Sequence, residues 1–373
     1  MNDELKQLGC RSSFILHHFS FIPHSFPLAL QSGMTTFNLC LLGFGNVGRA
    51  LAALLQEKTD ELRTGYGIEW RVTGVATRRM GWLVAPEGFE PAALLRDEAG
   101  AQVSSSCTDV HAWLRAARAD VLFETTALEP FTGQPAIEHI RAALELNAHA
   151  ITANKGPVVH AYEELTALAR ARGRRFMFEA TVADCLPVFS LFRATLPAAR
   201  VLGFRGVFNS TTNVILEAVG AGASFAEGVQ RAQELGVTET DPGYDVDGWD
   251  ATVKVCALAT VLMKTPLKPE EVARTGISEL SAAEVQTAQA AGRPFKLIGG
   301  AEFDAAGRLS ARVRPEQIES ADPLAMARGT SLLVQFKLDV LPGLIVMAEQ
   351  PHLKSTAYGL LADFINAVKE RKD

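Results

Sequence analysis

The sequence predicts an α/β protein, with an open helix-flanked sheet first and an α+β unit with a mixed sheet after it. Three observations carry this. Short apolar runs alternate with helically spaced apolar residues between positions 37 and 152. The first of those runs ends in a glycine-rich turn. From about Arg174 the texture changes to longer strand-like runs, an acidic loop and a nearly all-apolar helix.

At 373 residues the chain is long enough for two domains. With 48% hydrophobic and 21% charged residues it is too apolar for a disordered chain. Its five cysteines, Cys10, Cys40, Cys107, Cys185 and Cys256, form no CxxC pair, which argues against a disulfide framework, a zinc ribbon or thioredoxin chemistry. A formal net charge of -6 argues against nucleic acid and anionic membranes as partners, because both recruit a basic excess. No apolar stretch is long enough to span a bilayer. The expected setting is cytoplasmic, with a small-molecule substrate.

Residues 1–33 differ from the rest. Acidic residues near the start, and His17, His18, Pro23, His24 and Pro27 inside the apolar part, make a poor secretory signal. The expectation is an N-terminal extension, disordered or a misassigned start, with a packed element or docking arm as the alternative. Residues 37–42 (FNLCLL) then read as a strand entering Gly43-Phe44-Gly45-Asn46-Val47-Gly48, and residues 49–55 as a helix. This is the order a dinucleotide fingerprint requires, so the first domain is expected to be a Rossmann domain. Gly43 permits the turn, Gly45 lets backbone approach a pyrophosphate, and Gly48 lets helix pack on strand. The helix start offers free N–H groups to phosphate.

A second strand at 70–76 leads into Thr77-Arg78-Arg79, where NAD-preferring sites carry a carboxylate. Two guanidiniums favour a 2′-phosphate, hence NADP with NAD as the lesser choice; the alternative is a solvated loop. A third run at 120–124 delivers Thr125 and Thr126 to the crevice. After a helix near 134–146, a fourth run at 148–152 delivers Asn154 and Lys155. By position alone Lys155 is as readily a surface lysine.

Residues 174–182 (RRFMFEATV) read as a strand of the second domain, as do 201–209. The cluster Asn209-Ser210-Thr211-Thr212-Asn213 then opens a helix, either as a ligand-facing N-terminus or as a plain cap. Glu239, Asp241, Asp245, Asp247 and Asp250 crowd the next loop. Lys254 is the lone charge of the helix that follows; four residues from Asp250, it shares a helix face with it. The register of a calcium loop is missing. With no histidine between His160 and His352, the proton donor of this domain must be Lys, Tyr or a carboxylic acid. Either Lys254 or Lys155 would need a depressed pKa to act near neutral pH.

Together these motifs resemble homoserine dehydrogenase, from Met34 to the C-terminus: the glycine turn, Thr152-Ala153-Asn154-Lys155-Gly156-Pro157, Phe178-Glu179-Ala180-Thr181-Val182, Asn209 to Asn213, and Glu239-Thr240-Asp241-Pro242 followed by Asp250 and Lys254. The resemblance implies NAD(P)H-dependent reduction of aspartate 4-semialdehyde to homoserine, toward threonine, methionine and isoleucine. It implies a homodimer joined through a sheet from the middle of the chain. It makes Lys254 and Lys155 the proton-transfer and substrate-orienting lysines, and gathers Glu239, Asp245, Asp250 and Thr211 around the substrate. It places cofactor on Gly43, Phe44, Gly45, Asn46, Val47, Gly48, Arg78, Arg79, Thr125, Thr126 and Lys155. It also implies a monovalent cation such as sodium, held mostly by backbone at Glu179, Val182, Asp184 and Leu186, although Cys185 stands where the family typically has glycine.

The expected organisation is an extension at 1–33, a nucleotide domain at 34–170 rejoined by 345–373, and a substrate-binding, catalytic and dimerisation domain at 171–344. The family's glycine-rich turn before the last helix is replaced here by residues 348–354. With the chain ending at Asp373, no ACT module or fused aspartate kinase is expected, nor threonine feedback through one. Two rival readings stand: a related two-domain NADP-dependent amino-acid or semialdehyde oxidoreductase, and a non-catalytic NADP-binding sensor. A phosphorylating semialdehyde dehydrogenase needs a Cys nucleophile and His base, which the His-free second domain does not supply. A sensor has no need of both lysines with Glu239 and Asp250.

Overall fold

The computed structural model describes residues 34–96, 107–238 and 241–369. From Met34 onward the chain packs as one compact unit, and the extension expected at 1–33 lies outside the described residues. Twelve strands among the described residues form two six-stranded sheets. The first contains β1 (Thr35–Leu42), β2 (Ile68–Thr77), β3 (Gly81–Val84), β4 (Val121–Glu124), β5 (His149–Thr152) and β6 (Phe176–Met177), in the order β3-β2-β1-β4-β5-β6. All its pairs are parallel except β2 with β3. Such a sheet is covered on both faces, so its strands are apolar throughout: Leu39, Cys40, Val121, Leu122 and Phe123 are fully buried.

The second sheet contains β7 (Val201–Val207), β8 (Ala273–Arg274), β9 (Phe295–Phe303), β10 (Leu309–Gln317), β11 (Leu332–Leu338) and β12 (Leu344–Ala348), in the order β12-β11-β7-β9-β10-β8. It is mixed, antiparallel except where β8 joins β10. The helices that bear on the site are α1 (Asn46–Glu57), α2 (Ala136–Glu145), α3 (Gly156–Ala171), α4 (Ser210–Gly220), α5 (Gly243–Val246), α6 (Trp249–Leu262) and α7 (Leu353–Val368).

Two sequence expectations change here. The run 174–182 gives only the two-residue β6, which pairs with β5 in the first sheet and not in the second. The chain then leaves the sheet because the Glu179 carboxylate draws it into a turn, accepting from Phe189 N at 2.7 Å and Ser190 N at 2.8 Å. The first sheet therefore extends past residue 170. The return begins after β12 rather than at 345: α7 lies against α1 and sets Phe364 edge-on to Phe37 and Phe123, with centroids 5.8 and 5.9 Å apart. No helix among the described residues is long and apolar enough to cross a membrane.

Candidate active site

The turn between β1 and α1 shows what each glycine is for. Gly43 has φ +92°, and a Cβ there would lie 2.5 Å from the Thr125 carbonyl oxygen. A Cβ on Gly48 would lie 2.5 Å from the Gly43 carbonyl oxygen, whereas one on Gly45 would meet nothing within 4 Å. Two glycines are thus demanded by packing and one faces open space, where a phosphate group can approach. Thr125 Oγ1 donates to Gly43 O at 2.7 Å and ties β4 to this turn. No side chain caps α1, so its first N–H groups remain available to an anion. The Phe44 ring is buried beneath the Arg49 guanidinium, 5.1 Å from its centroid, while Asn46 is exposed and Val47 half-buried. Arg78 and Arg79 are exposed in the turn joining β2 to β3. These residues fit a dinucleotide laid across the carboxyl ends of β1, β2 and β4.

The second centre is the start of α6. Gly248, at φ +81°, turns the chain so that Trp249 and Asp250 begin the helix. Arg274 stacks 3.8 Å over the Trp249 ring, and Phe131 from the loop after β4 meets the same ring at 5.5 Å. Asp250 receives Lys254 Nζ at 2.7 Å and Asn209 Nδ2 at 2.9 Å on Oδ2, with Lys155 Nζ at 3.4 Å from Oδ1. Lys155 comes from the junction of β5 and α3, so one carboxylate gathers a lysine from each sheet's side of the crevice. Lys254 also donates to the Phe208 carbonyl at 2.6 Å. Both ammonium groups are largely covered, with side chains 17% and 14% exposed for Lys155 and Lys254.

Burial by itself would raise the Asp250 carboxyl, but Lys254 and Lys155 outweigh it and hold the group well below the usual carboxylate range. Burial would likewise lower Lys254, yet the Asp250 charge, helped by Asp184 and Asp245, holds its ammonium above a free lysine. The depressed lysine expected from sequence is therefore not found at Lys254; its pKa moves the other way, because an anion and not a cation is its neighbour. Asp245 is raised by burial and by repulsion from Asp250, against the pull of Asn209. It accepts Asn209 Nδ2 at 2.6 Å and Thr238 Oγ1 at 3.2 Å.

The acidic loop does not converge as a whole. Asp241 turns back to Gly243 N at 2.9 Å, and Asp247 accepts Ser278 Oγ at 3.1 Å. Glu239 lies outside the described residues. Thr211 is buried and its hydroxyl donates to Val237 O at 2.7 Å. The residues expected to hold a cation are engaged as follows. Glu179 is occupied by Phe189 and Ser190, Asp184 Oδ1 accepts Thr356 Oγ1 at 2.9 Å, and the Leu186 carbonyl accepts Val188 N at 2.7 Å. No step below runs through such an ion.

Two participants carried no site signal in the sequence, and a third, Asn209, does more than the cap or N-terminus read there. Asn209 is indeed a helix cap, accepting Thr212 N at 2.8 Å, but its amide also bridges Asp245 and Asp250. The Phe208 carbonyl is a backbone group with no sequence signal at all. Tyr244 buries a phenol oxygen without a hydrogen-bond partner. Burial and then the charges of Asp250 and Asp245 push that phenol up, so it stays protonated.

Comparison with known proteins adds the following. The family model described as homoserine dehydrogenase matches residues 187–365, and that of its NAD binding domain matches residues 43–179. An NAD(+)-dependent homoserine dehydrogenase of Pseudomonas canavaninivorans is 35% identical over 339 residues, covering 89% of this chain and 96% of that protein. A homoserine dehydrogenase of Methanocaldococcus jannaschii is 30% identical over 347 residues, covering 90% and 99%. Among solved structures, a putative homoserine dehydrogenase from Archaeoglobus fulgidus superposes with TM-score 0.78 at 29% identity, covering 90% of this chain and all of that one (100%). A hyperthermophilic archaeal homoserine dehydrogenase in complex with NADPH gives TM-score 0.74 at 26% identity, covering 89% and 98%.

Proposed function

The chain belongs to the homoserine dehydrogenase family, NAD(P)-dependent oxidoreductases acting on a CH–OH group, and from that premise we propose how its residues divide the work. The observation that carries the reading is Asp250 with a lysine on each oxygen, 2.7 Å from Lys254 and 3.4 Å from Lys155. When bound, the dinucleotide would supply hydride to the aldehyde carbon. The oxygen then gains charge, and a cation with a proton to give must stand beside it. Lys254 is that donor: held above a free lysine by Asp250, it is an ammonium throughout the working range. Lys155 orients the same oxygen from the opposite wall.

The substrate's own ammonium needs acceptors. Asp245, which has no lysine partner of its own among the described residues, takes this role with Asp250 and Glu239, and Thr211 lies at the polar end. Gly43 to Gly48 with Thr125 and Thr126 hold the dinucleotide, and Arg78 and Arg79 take a 2′-phosphate, so NADP is favoured over NAD. We assign the second sheet to a homodimer; Ile345 on its edge strand β12, with Val340 and Leu341 beside it, leaves apolar surface exposed there. Light scattering on the purified protein tests the dimer.

One assay tests the chemistry: homoserine-dependent reduction of NADP and of NAD, alongside Lys254→Ala. Turnover lost in the variant with its fold retained supports the assignment. No turnover by the unchanged protein with either cofactor removes the reading, and full turnover by the variant removes the role of Lys254.

A further inference from the structure

We propose that Glu124, at the carboxyl end of β4, is a positioning residue for Lys155. Glu124 is fully buried, and a carboxylate in such a place is costly unless every lone pair is used. Its Oε1 accepts the Thr126 N–H at 3.1 Å and the Thr126 hydroxyl. Its Oε2 accepts the Thr152 hydroxyl at 2.9 Å, across to the end of β5. His139 Nδ1 stands 3.8 Å away, outside hydrogen-bond range. An apolar residue would end the strand more cheaply, so the charge calls for another account.

That account lies in the direction of the bonds. A carboxylate only accepts, so Thr152 points its proton at Glu124, whose Oε2 at 2.9 Å is nearer than its backbone carbonyl at 3.1 Å, and turns a lone pair toward the next loop. There it accepts Asn154 N at 2.9 Å, and Asn154 Oδ1 in turn accepts Gly156 N at 2.9 Å. Asn154 Nδ2 reaches back to the Thr126 and Ala127 carbonyls, each at 3.3 Å. The Ala153–Asn154 peptide before Lys155 and the Lys155–Gly156 peptide after it are therefore held by a chain of bonds that begins at Glu124. Gly156 completes the lock, since a Cβ there would lie 2.7 Å from Gly133 Cα. Reversing the polarity at Glu124 frees Thr152 to point elsewhere and lets the ammonium drift from its place beside Asp250.

The inference rests on the role given to Lys155, and the two fail differently. Steady-state kinetics with homoserine and NADP on Glu124→Gln and Thr152→Val are expected to show kcat reduced about tenfold, the scale of a small misplacement of a reacting group, with KM for homoserine within about twofold. Glu124→Asp, which keeps the acceptor, is expected to recover part of the loss. The double variant Glu124→Gln/Thr152→Val is expected to be no slower than the slower single, because both cut one chain. Losses that multiply to about a hundredfold, or a Thr152→Val enzyme at full kcat, overturn the proposal, the latter even if Glu124→Gln does not fold. An unchanged protein that does not turn over homoserine removes the reading beneath it instead.

Discussion

Lys254 Nζ sits 2.7 Å from Asp250 Oδ2, one turn further along the same helix, with Asp250 buried and Lys254 largely covered. A buried carboxylate raises its lysine partner, so the resting state is an ion pair with the proton held on Lys254. Lys254→Ala is expected to lower kcat at least a hundredfold in aldehyde reduction, the usual scale for losing a proton donor. In homoserine oxidation the amine must be free, so activity climbs toward alkaline pH. Asp250→Asn removes the anion that holds the ammonium up, and the rising limb is expected to move to lower pH. Rate profiles of both variants from pH 6 to about 10.5 check this; a limb that stays in place in Asp250→Asn refutes it.

The three glycines of the first turn should separate in experiment. Gly45→Ala adds a methyl into open space, so its unfolding midpoint is expected to match the unchanged protein. Its KM for NADP is expected to rise about tenfold, because the methyl stands where backbone meets pyrophosphate. Gly48→Ala forces a carbon to 2.5 Å from a carbonyl and is expected to cost about 1–3 kcal/mol in stability. Denaturant titration of both, with dinucleotide binding followed by fluorescence, distinguishes them.

Cofactor choice turns on Arg78 and Arg79. A 2′-phosphate met by either guanidinium gains a charge-assisted hydrogen bond worth about 1.5–3 kcal/mol, and NAD gains nothing from it. Arg78→Ala/Arg79→Ala is therefore expected to raise KM for NADP by roughly ten- to a hundredfold and leave NAD within about twofold. Equal effects on both cofactors would mean that the arginines act only as a solvated loop.

What the sequence allowed depended on the reach of each interaction. Gly43 to Gly48 and the helix after them are local, and their spacing alone predicts the turn that the structure shows. Asp250 and Lys254 are one turn apart, so their pairing follows from helix geometry. Asn209 could be read as a cap from its neighbours, but its second bond reaches 41 residues along the chain, which no local pattern encodes. Glu124 looked like the end of an apolar strand, because the threonine that explains it lies 28 residues away. The run at 174–182 misled for the same reason: its apolar residues do form a strand, but the pairing with Ala150 and Ile151 assigns it to the first sheet. The opposite shift of Lys254 depended on which neighbour is closest, and that is set by folding alone.

His149, at the start of β5, carries a pH dependence of stability that is separate from catalysis. Its Nδ1 accepts the Arg175 N–H at 3.1 Å, a bond that exists only while that nitrogen is unprotonated. Burial, and then the charges of Arg174 and Arg175, push the imidazole down to about 4. The unfolded chain, with a pKa near 6.5, binds this proton more readily than the folded one between those two values. Stability is therefore complete above about pH 6.5 and declines as the pH falls toward 4. With the ring partly exposed, solvent screening reduces the effect to the order of 1 kcal/mol. His149→Gln, which keeps an acceptor and cannot titrate, is expected to flatten the change in urea midpoint between pH 7 and pH 5. A variant whose midpoint falls as steeply as that of the unchanged protein would place the acid sensitivity elsewhere.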